Sequence, residues 1–230
     1  MIKHRTPEWF KARIGKFTAS SFSDLMSKPA DKTAKISKSA YNCIEKAATQ
    51  LYFNKYYEKP DSDSTRWGMR YEKKAIESFA ERTNLMAEEA GFVLHPNFPD
   101  VGATPDAIVK DNLYGSEMII AQIKCPFNSK IHHDYSVKIH SSASLKKSKS
   151  EYYWQMQGEM WVVGAIHSYF ISFDPRLISY NNLHIVKIER DDEDILILEK
   201  RIIECIDIRN DILEEFRTGK KRPRSLDSFW

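Results

Sequence analysis

The stretch GATPDAIVKDNLYGSEMIIAQIKCPF, from Gly102 to Phe127, restricts the fold more than any other part of the chain. Two short runs rich in β-branched residues flank a segment of Asp, Asn and Gly, which reads as two adjacent strands joined by a turn. Side chains alternate across a strand, so Gln122 and Lys124 share one face. Adjacent strands then carry Asp106, on the first run, to the same end of a sheet as Gln122 and Lys124 on the second.

An Asp on one strand and an acid–X–Lys on the next would set two carboxylates and an ammonium around one point. The main-chain carbonyl of the middle residue, here Ile123, adds a further oxygen. Carboxylate and carbonyl oxygens suit Mg²⁺, with Mn²⁺ as the alternative, and the lysine is placed to hold or deprotonate a water. That set suits metal-assisted phosphodiester hydrolysis. The bland reading is that Asp106 caps the turn after Pro105. The chain also departs from the pattern, because an amide, Gln122, stands where the acid belongs.

The rest of the chain reads as an α/β protein. TPEWFKARIGK begins like a helix, with Thr6 as cap and Pro7 in the first turn. TASSFSDLM is a second short helix, and SKPADKTAKISKSA is an exposed basic loop. SAYNCIEKAATQLYF and STRWGMRYEKKAIESFAERT have helical spacing. GFVLH, VGATPDAIV and EMIIAQIKC are strands. HHDYSVKIHSSASLKKSKS is polar and serine-rich and reads as a mobile loop. EYYWQMQGEMWVVG is a helix, and HSYFISFD and NNLHIVKIER are a closing pair of strands. A long helix from Asp191 carries an apolar stripe at Ile195, Leu198, Ile202, Ile206, Leu213 and Phe216. The expected division within one domain is a helical elaboration (1–66), a catalytic core (67–190) and a C-terminal helix with a basic tail (191–230).

With 42% hydrophobic residues, 12 Phe, 11 Tyr and 5 Trp, a large mixed core is available. The net charge of +3 does not by itself specify a nucleic-acid partner. Cys43, Cys125 and Cys205 form no CxxC pair, so free thiols in a reducing cytoplasm are expected. No run is long and apolar enough to span a membrane, so no membrane partner is expected.

Further residues join the strand pair. Glu72 in RWGMRYE is a third carboxylate, or else a partner of Arg70 on a solvated face. Gln155 and Gln157 are polar positions on an aromatic helix, so at least one faces the site; Trp154, Met156, Met160 and Trp161 read as core. Arg13, Thr18 and Ser20 could grip a phosphate, although Arg13 alone would pass as a surface charge. His132 and His133 lack a third ligand at suitable spacing. Lys32 and Lys35 in the first basic stretch, and Lys146 and Lys147 in the second, serve solubility or neutralise DNA phosphates. The tail KKRPR is open to DNA or a partner.

The stretches EWFKARIGKFTAS, WGMRYE, TPDAIV, QIKCPFNS, YYWQMQGEMW, YFISFDP and HIVKIER occur in this order between about Trp9 and Arg190. Together they resemble the bacteriophage lambda exonuclease family of viral recombination exonucleases, within the PD-(D/E)XK nuclease superfamily. The resemblance implies a restriction-endonuclease-like core: a central mixed five-stranded sheet flanked by helices, with the N-terminal elaboration and the long C-terminal helix added. It implies two divalent ions per site, held by Asp106, position 122, the Ile123 carbonyl and Glu72. Lys124 would activate water, Gln155 would line the site, and Arg13 and Ser20, with Thr104, would hold a terminal 5′ phosphate. It further implies a homotrimeric ring around duplex DNA ends, digestion of one strand 5′ to 3′ during homologous recombination, a single-strand annealing partner and a bacterial or phage-infected cytoplasm.

Three explanations compete for Gln122: a natural, tolerated ligand, an inert relative that binds DNA ends, or a Glu-to-Gln form made to trap an intact complex. The presence of every other motif position favours the third. A restriction-like endonuclease of the same superfamily is the more distant enzymatic alternative.

Overall fold

The structure, a computed structural model, describes residues 1–31, 33–57 and 62–220. Lys32 and the basic tail from Lys221 onward lie outside the described residues. In chain order the elements are α1 (Pro7–Ala12), β1 (Phe17–Thr18), α2 (Phe22–Met26), α3 (Lys38–Phe53), α4 (Asp63–Thr83), β2 (Met86–Glu89), β3 (Val93–Leu94), β4 (Val101–Ala103), β5 (Ala107–Lys110) and β6 (Ile119–Lys124). After these come α5 (Ser129–Lys138), α6 (Ser142–Ser148), α7 (Ser150–Val163), β7 (His167–Phe173), β8 (Leu183–Glu189) and α8 (Asp192–Thr218).

The central sheet is mixed and five-stranded, in the order β2-β5-β6-β7-β8. β5 and β6 are antiparallel, β6 and β7 parallel, and β7 and β8 antiparallel. The parallel step needs a crossover, and α5, α6 and α7 supply it. One sheet face, with Val109, Ile119, Ala121, Ile123 and Ile171, packs on Ala75, Ile76 and Phe79 of α4. The other, with Ile120, Phe170, Val186 and Ile188, packs on Tyr135, Tyr153, Met156 and Met160. Since alternate residues of β6 face opposite sides, Gln122 and Lys124 lie with Ile120 on the side of α7.

A second, three-stranded sheet has the order β1-β4-β3. Its neighbourhood is a third core, in which α2, α3 and α8 bury Phe22, Leu25, Ile44, Leu198, Ile202 and Cys205. Gly158 of α7 joins this unit to the central sheet: a Cβ there would lie 2.1 Å from Phe22 Cδ2, so only glycine lets α2 lie this close.

Three details differ from the sequence reading. VGATPDAIV is not one strand: Pro105 cannot donate to a ladder, and the run breaks there into β4 in the small sheet and β5 in the large one. GFVLH contributes β3 to the small sheet, and the fifth strand of the large sheet is β2. Its sequence, MAEE, lies exposed at the edge and has no β-branched residue to mark it. The stretch read as a mobile loop forms α5 and α6. Asn128 caps α5 by accepting from the Lys130 N–H, and Ser141 and Ser144 form a reciprocal capping box on α6. Tyr135, Ile139 and Leu145 supply the apolar row that anchors both.

Candidate active site

The register of the β5–β6 ladder builds the site. Ala107 pairs with Ala121, and continuing the ladder by one residue sets Asp106 opposite Gln122. The Asp106 N–H donates to the Ala121 carbonyl at 3.1 Å, which fixes Asp106 at the strand end. Its Oδ2 accepts from the Ile123 N–H at 2.6 Å and from Gln122 Nε2. Lys124, two residues on, rests its ammonium 4.8 Å from the Tyr152 ring centroid.

α4 brings Glu72 to the same point from the other side of the sheet. Burial first, and then the negative charges of Asp106 and Glu89, push the Glu72 carboxyl up to about 8, against the pull of Lys124 and Arg5. Burial also raises Asp106, opposed by Lys124 and by the two N–H groups it accepts. Two acids held close in a partly dry site resist joint ionisation.

A hard divalent cation fits this set. Glu72, Asp106 and the Ile123 carbonyl are oxygen donors of the right kind, and the cation's charge would remove the repulsion that raises both acids. Gln122 fits less well, because it turns its amide N–H toward Asp106 while its Oε1 accepts from Gln155 Nε2 at 2.7 Å. Among the described residues no three His, Cys, Asp or Glu side chains converge as a cation site. Cys125 is pushed up to about 12 by burial and then by Glu72 and Asp106, so its thiol stays protonated.

Gln155 and Gln157 divide. Gln155 turns to the site. Gln157 donates to the Glu189 carbonyl at 2.8 Å and accepts from the Asp191 N–H at 2.9 Å, tying α7 to the start of α8. Sequence reading missed Glu159, one turn beyond Gln155 and fully buried, which accepts from Gln155 Nε2 at 2.9 Å. An acid inside the apolar run MQGEMWVV was the available signal. It also missed Arg176, which donates to both oxygens of buried Asp174 at 2.8 and 2.9 Å and to the carbonyls of Phe127 and Pro126 at 2.9 and 3.3 Å. The chain just after Lys124 is thereby pinned.

A cavity of about 610 Å³ adjoins the N-terminal elements, lined among others by Arg5, Trp9, Arg13, Lys16, Thr18 and Ser20. Arg13 lies over the Trp9 ring, 4.1 Å from its centroid. It donates to Thr104 Oγ1 at 3.4 Å and to Thr18 Oγ1 at 3.3 Å, and the Thr18 hydroxyl meets that of Ser20 at 3.2 Å. Arg13, Ser20 and Thr104 therefore do come together, and Thr104 is separated from Asp106 only by Pro105.

The basic residues scatter. Lys35 is exposed, and its carbonyl accepts from Arg201 at 3.1 Å. Lys146 pairs with Asp194 on α8, and Lys147 is exposed beside it. His132 is buried between Ser172 and the Asn181 carbonyl, at 2.7 and 2.8 Å. No described helix is long and apolar enough to cross a membrane.

Known proteins share this fold. An alkaline exonuclease from Laribacter hongkongensis is 28% identical, with a TM-score of 0.77 over 93% of this chain and 97% of that one. The same figures hold for that enzyme in complex with dAMP. A phage-related exonuclease from Haemophilus somnus 129PT shares the fold at 17% identity, with a TM-score of 0.66 over 89% of this chain and 96% of that one. No curated protein matches the chain. The profile of the YqaJ-like viral recombinase domain matches residues 8–166. By that match, over a strand pair and a cavity laid out in this way, the chain belongs to the YqaJ-like viral recombinase domain family, the lambda exonuclease family.

Proposed function

We propose that this protein is a divalent-metal-dependent exonuclease that digests one strand of duplex DNA from a 5′-phosphorylated end, 5′ to 3′, leaving a 3′ single strand for recombination. The observation that carries the reading is the placement of a basic, hydroxyl-lined cavity beside paired acids and a lysine: Arg13, in the cavity lining, donates to Thr104, and Thr104 is two residues from Asp106. Glu72, Asp106 and the Ile123 carbonyl would hold the cation, which supplies Lewis-acid polarisation of a phosphoryl oxygen and lowers the pKa of bound water.

The side chains do the remaining work. Arg13 grips the terminal phosphate with its guanidinium fork, and Thr104 and Ser20 add hydroxyl donors. Lys124 holds the attacking water and balances the charge of the two acids. Gln155 orders the amide of Gln122. Assembly as a homotrimer and association with a single-strand annealing protein belong to the same proposal and rest on the family resemblance.

The test compares linear with covalently closed circular duplex in Mg²⁺, following release of acid-soluble nucleotide. Release from linear DNA alone, with the 5′-labelled end lost first, is the expected result. Cutting of the circle would replace this reading with an endonuclease. The N–H that Gln122 turns to Asp106 favours one other reading, a protein that binds ends without cutting them. Metal-independent end binding with no nucleotide release would establish it.

A further inference from the structure

Strand β6 lacks an acid at position 122, yet the site does not lack a third carboxylate. Glu159 is completely buried on α7. Its Oε1 accepts from Gln155 Nε2 at 2.9 Å, and the same nitrogen donates at 2.7 Å to Gln122 Oε1, whose own amide N–H reaches Asp106. An unbroken ladder of two amides thus joins buried Glu159 to half-buried Asp106. Gln155 and Glu159 are four apart, so they share a face of α7, and that face is the one packed over Gln122 and Lys124.

Glu159 is poorly explained as a packing residue. Its neighbours Met156, Met160 and Val162 are apolar and buried, and a leucine would pack there without a desolvated charge. Among the described residues its Oε2 is buried with no hydrogen-bond partner, and no ion pair is made to it. Burying a carboxyl with one hydrogen bond is costly, and such exceptions mark functional positions more often than structural ones. Burial and then the negative charge of Asp106 push its carboxyl well above the usual range, against the Gln155 hydrogen bond and the charge of Lys124.

Resting on the proposed nuclease reading, we infer that Glu159 is the third acid of this site. It supplies from α7, through the amides of Gln155 and Gln122, the negative charge that β6 lacks at position 122. Two effects follow. Glu159 fixes the Gln155 amide, and with it the orientation of Gln122 against Asp106. A cation at Glu72 and Asp106 would favour the ionised form of Glu159, and the carboxylate so formed adds to the field that holds the cation, in surroundings that screen little. Gln122 is then a working part of a site whose acid has moved, rather than a lesion.

The test uses the intact chain in four forms: unchanged, Glu159→Gln, Gln122→Glu, and both changes together. Two quantities are read on each, Mn²⁺ binding by paramagnetic resonance and nucleotide release from linear duplex in Mg²⁺. Glu159→Gln is expected to weaken Mn²⁺ binding at least about 10-fold and slow release at least about 100-fold, and the double variant to return both to within about threefold of the unchanged chain. The return is the decisive readout, because a packing role for Glu159 would not be repaired by an acid on β6. Four results overturn the inference. In one, Glu159→Gln stays within about twofold of the unchanged chain. In another, the double variant is as weak as Glu159→Gln, or neither folds by thermal melting. In a third, Gln122→Glu alone raises release at least about 100-fold, which makes the chain a trapped form. In the last, the unchanged chain neither binds Mn²⁺ nor releases nucleotide; only that result removes the nuclease reading as well.

Discussion

Replacing Arg13 by alanine should reduce the preference for 5′-phosphorylated over 5′-hydroxyl ends. The guanidinium lies over Trp9, 4.1 Å from the ring centroid, and among the described residues its two terminal nitrogens make only long bonds, 3.4 and 3.3 Å, to Thr104 and Thr18. Bonds of that length to neutral hydroxyls are weak and readily exchanged for a phosphate. A hydrogen bond to a charged group contributes about 1.5–3 kcal/mol, which converts to a loss of about 10- to 150-fold in the phosphate-to-hydroxyl rate ratio. The stacking energy on Trp9, about 0.5–1 kcal/mol, is lost with either substrate and cancels in the ratio. The assay is the initial rate of nucleotide release from two linear duplexes that differ only in the 5′ group. Arg13→Lys keeps the charge without the fork and should fall between. Equal slowing of both substrates would refute the phosphate role and leave Arg13 as a general DNA contact.

Three other outcomes are expected. Lys124→Ala should reduce cleavage to less than about a tenth while DNA-end binding, measured by anisotropy, stays within a few-fold; a rate above that removes Lys124 from the chemistry. Glu72, at about 8, ionises as pH rises through that value, so Mn²⁺ uptake should strengthen between about pH 7 and about pH 9, and Glu72→Gln should flatten that rise. Asp174→Asn should destabilise the fold by about 1–2 kcal/mol in urea, the ion pair being half exposed on the Arg176 side. Burial works against the Asp174 charge, but hydrogen bonds from Arg176 and Ser129 bring the carboxyl down from 3.8 to about 2. That stabilisation is therefore present above about pH 4 and fades as pH falls through about 2; a gap between the two proteins that persists at the acid end would contradict it.

Much of this site could be read in the chain because strand geometry is local. The period of two places Gln122 beside Lys124, and a hairpin places Asp106 opposite Gln122, so GATPDAIVKDNLYGSEMIIAQIKCPF carries its own geometry. Helical spacing did the same for α4, α7 and α8. Glu159 was not legible in this way, since its meaning depends on α7 crossing β6, a contact remote in sequence. β2 escaped because MAEE pairs at an exposed edge and has no β-branched residue to mark it as a strand. α5 and α6 escaped because caps and one buried row, rather than overall hydrophobicity, make them helical. The split at Pro105 had a visible cause, but only the tertiary structure shows that its two halves enter different sheets.

On the proposed reading, that split would make the chain a measuring device. Thr104, beside the Arg13 cavity, and Asp106, at the paired acids, stand on either side of Pro105, whose ring fixes one backbone angle. Two residues of extended chain span at most about 7 Å, and both ends are tethered independently of Arg13: Trp9 Nε1 donates to Thr104 at 3.3 Å, and the Asp106 N–H is held by Ala121. If a terminal phosphate is seated at one mark, the bond presented at the other is chosen by covalent geometry rather than by base identity. An enzyme with such a gauge would remove uniform pieces from any sequence. Lengthening the gauge, for example by inserting a glycine after Thr104, would show up as a change in the size of the product released.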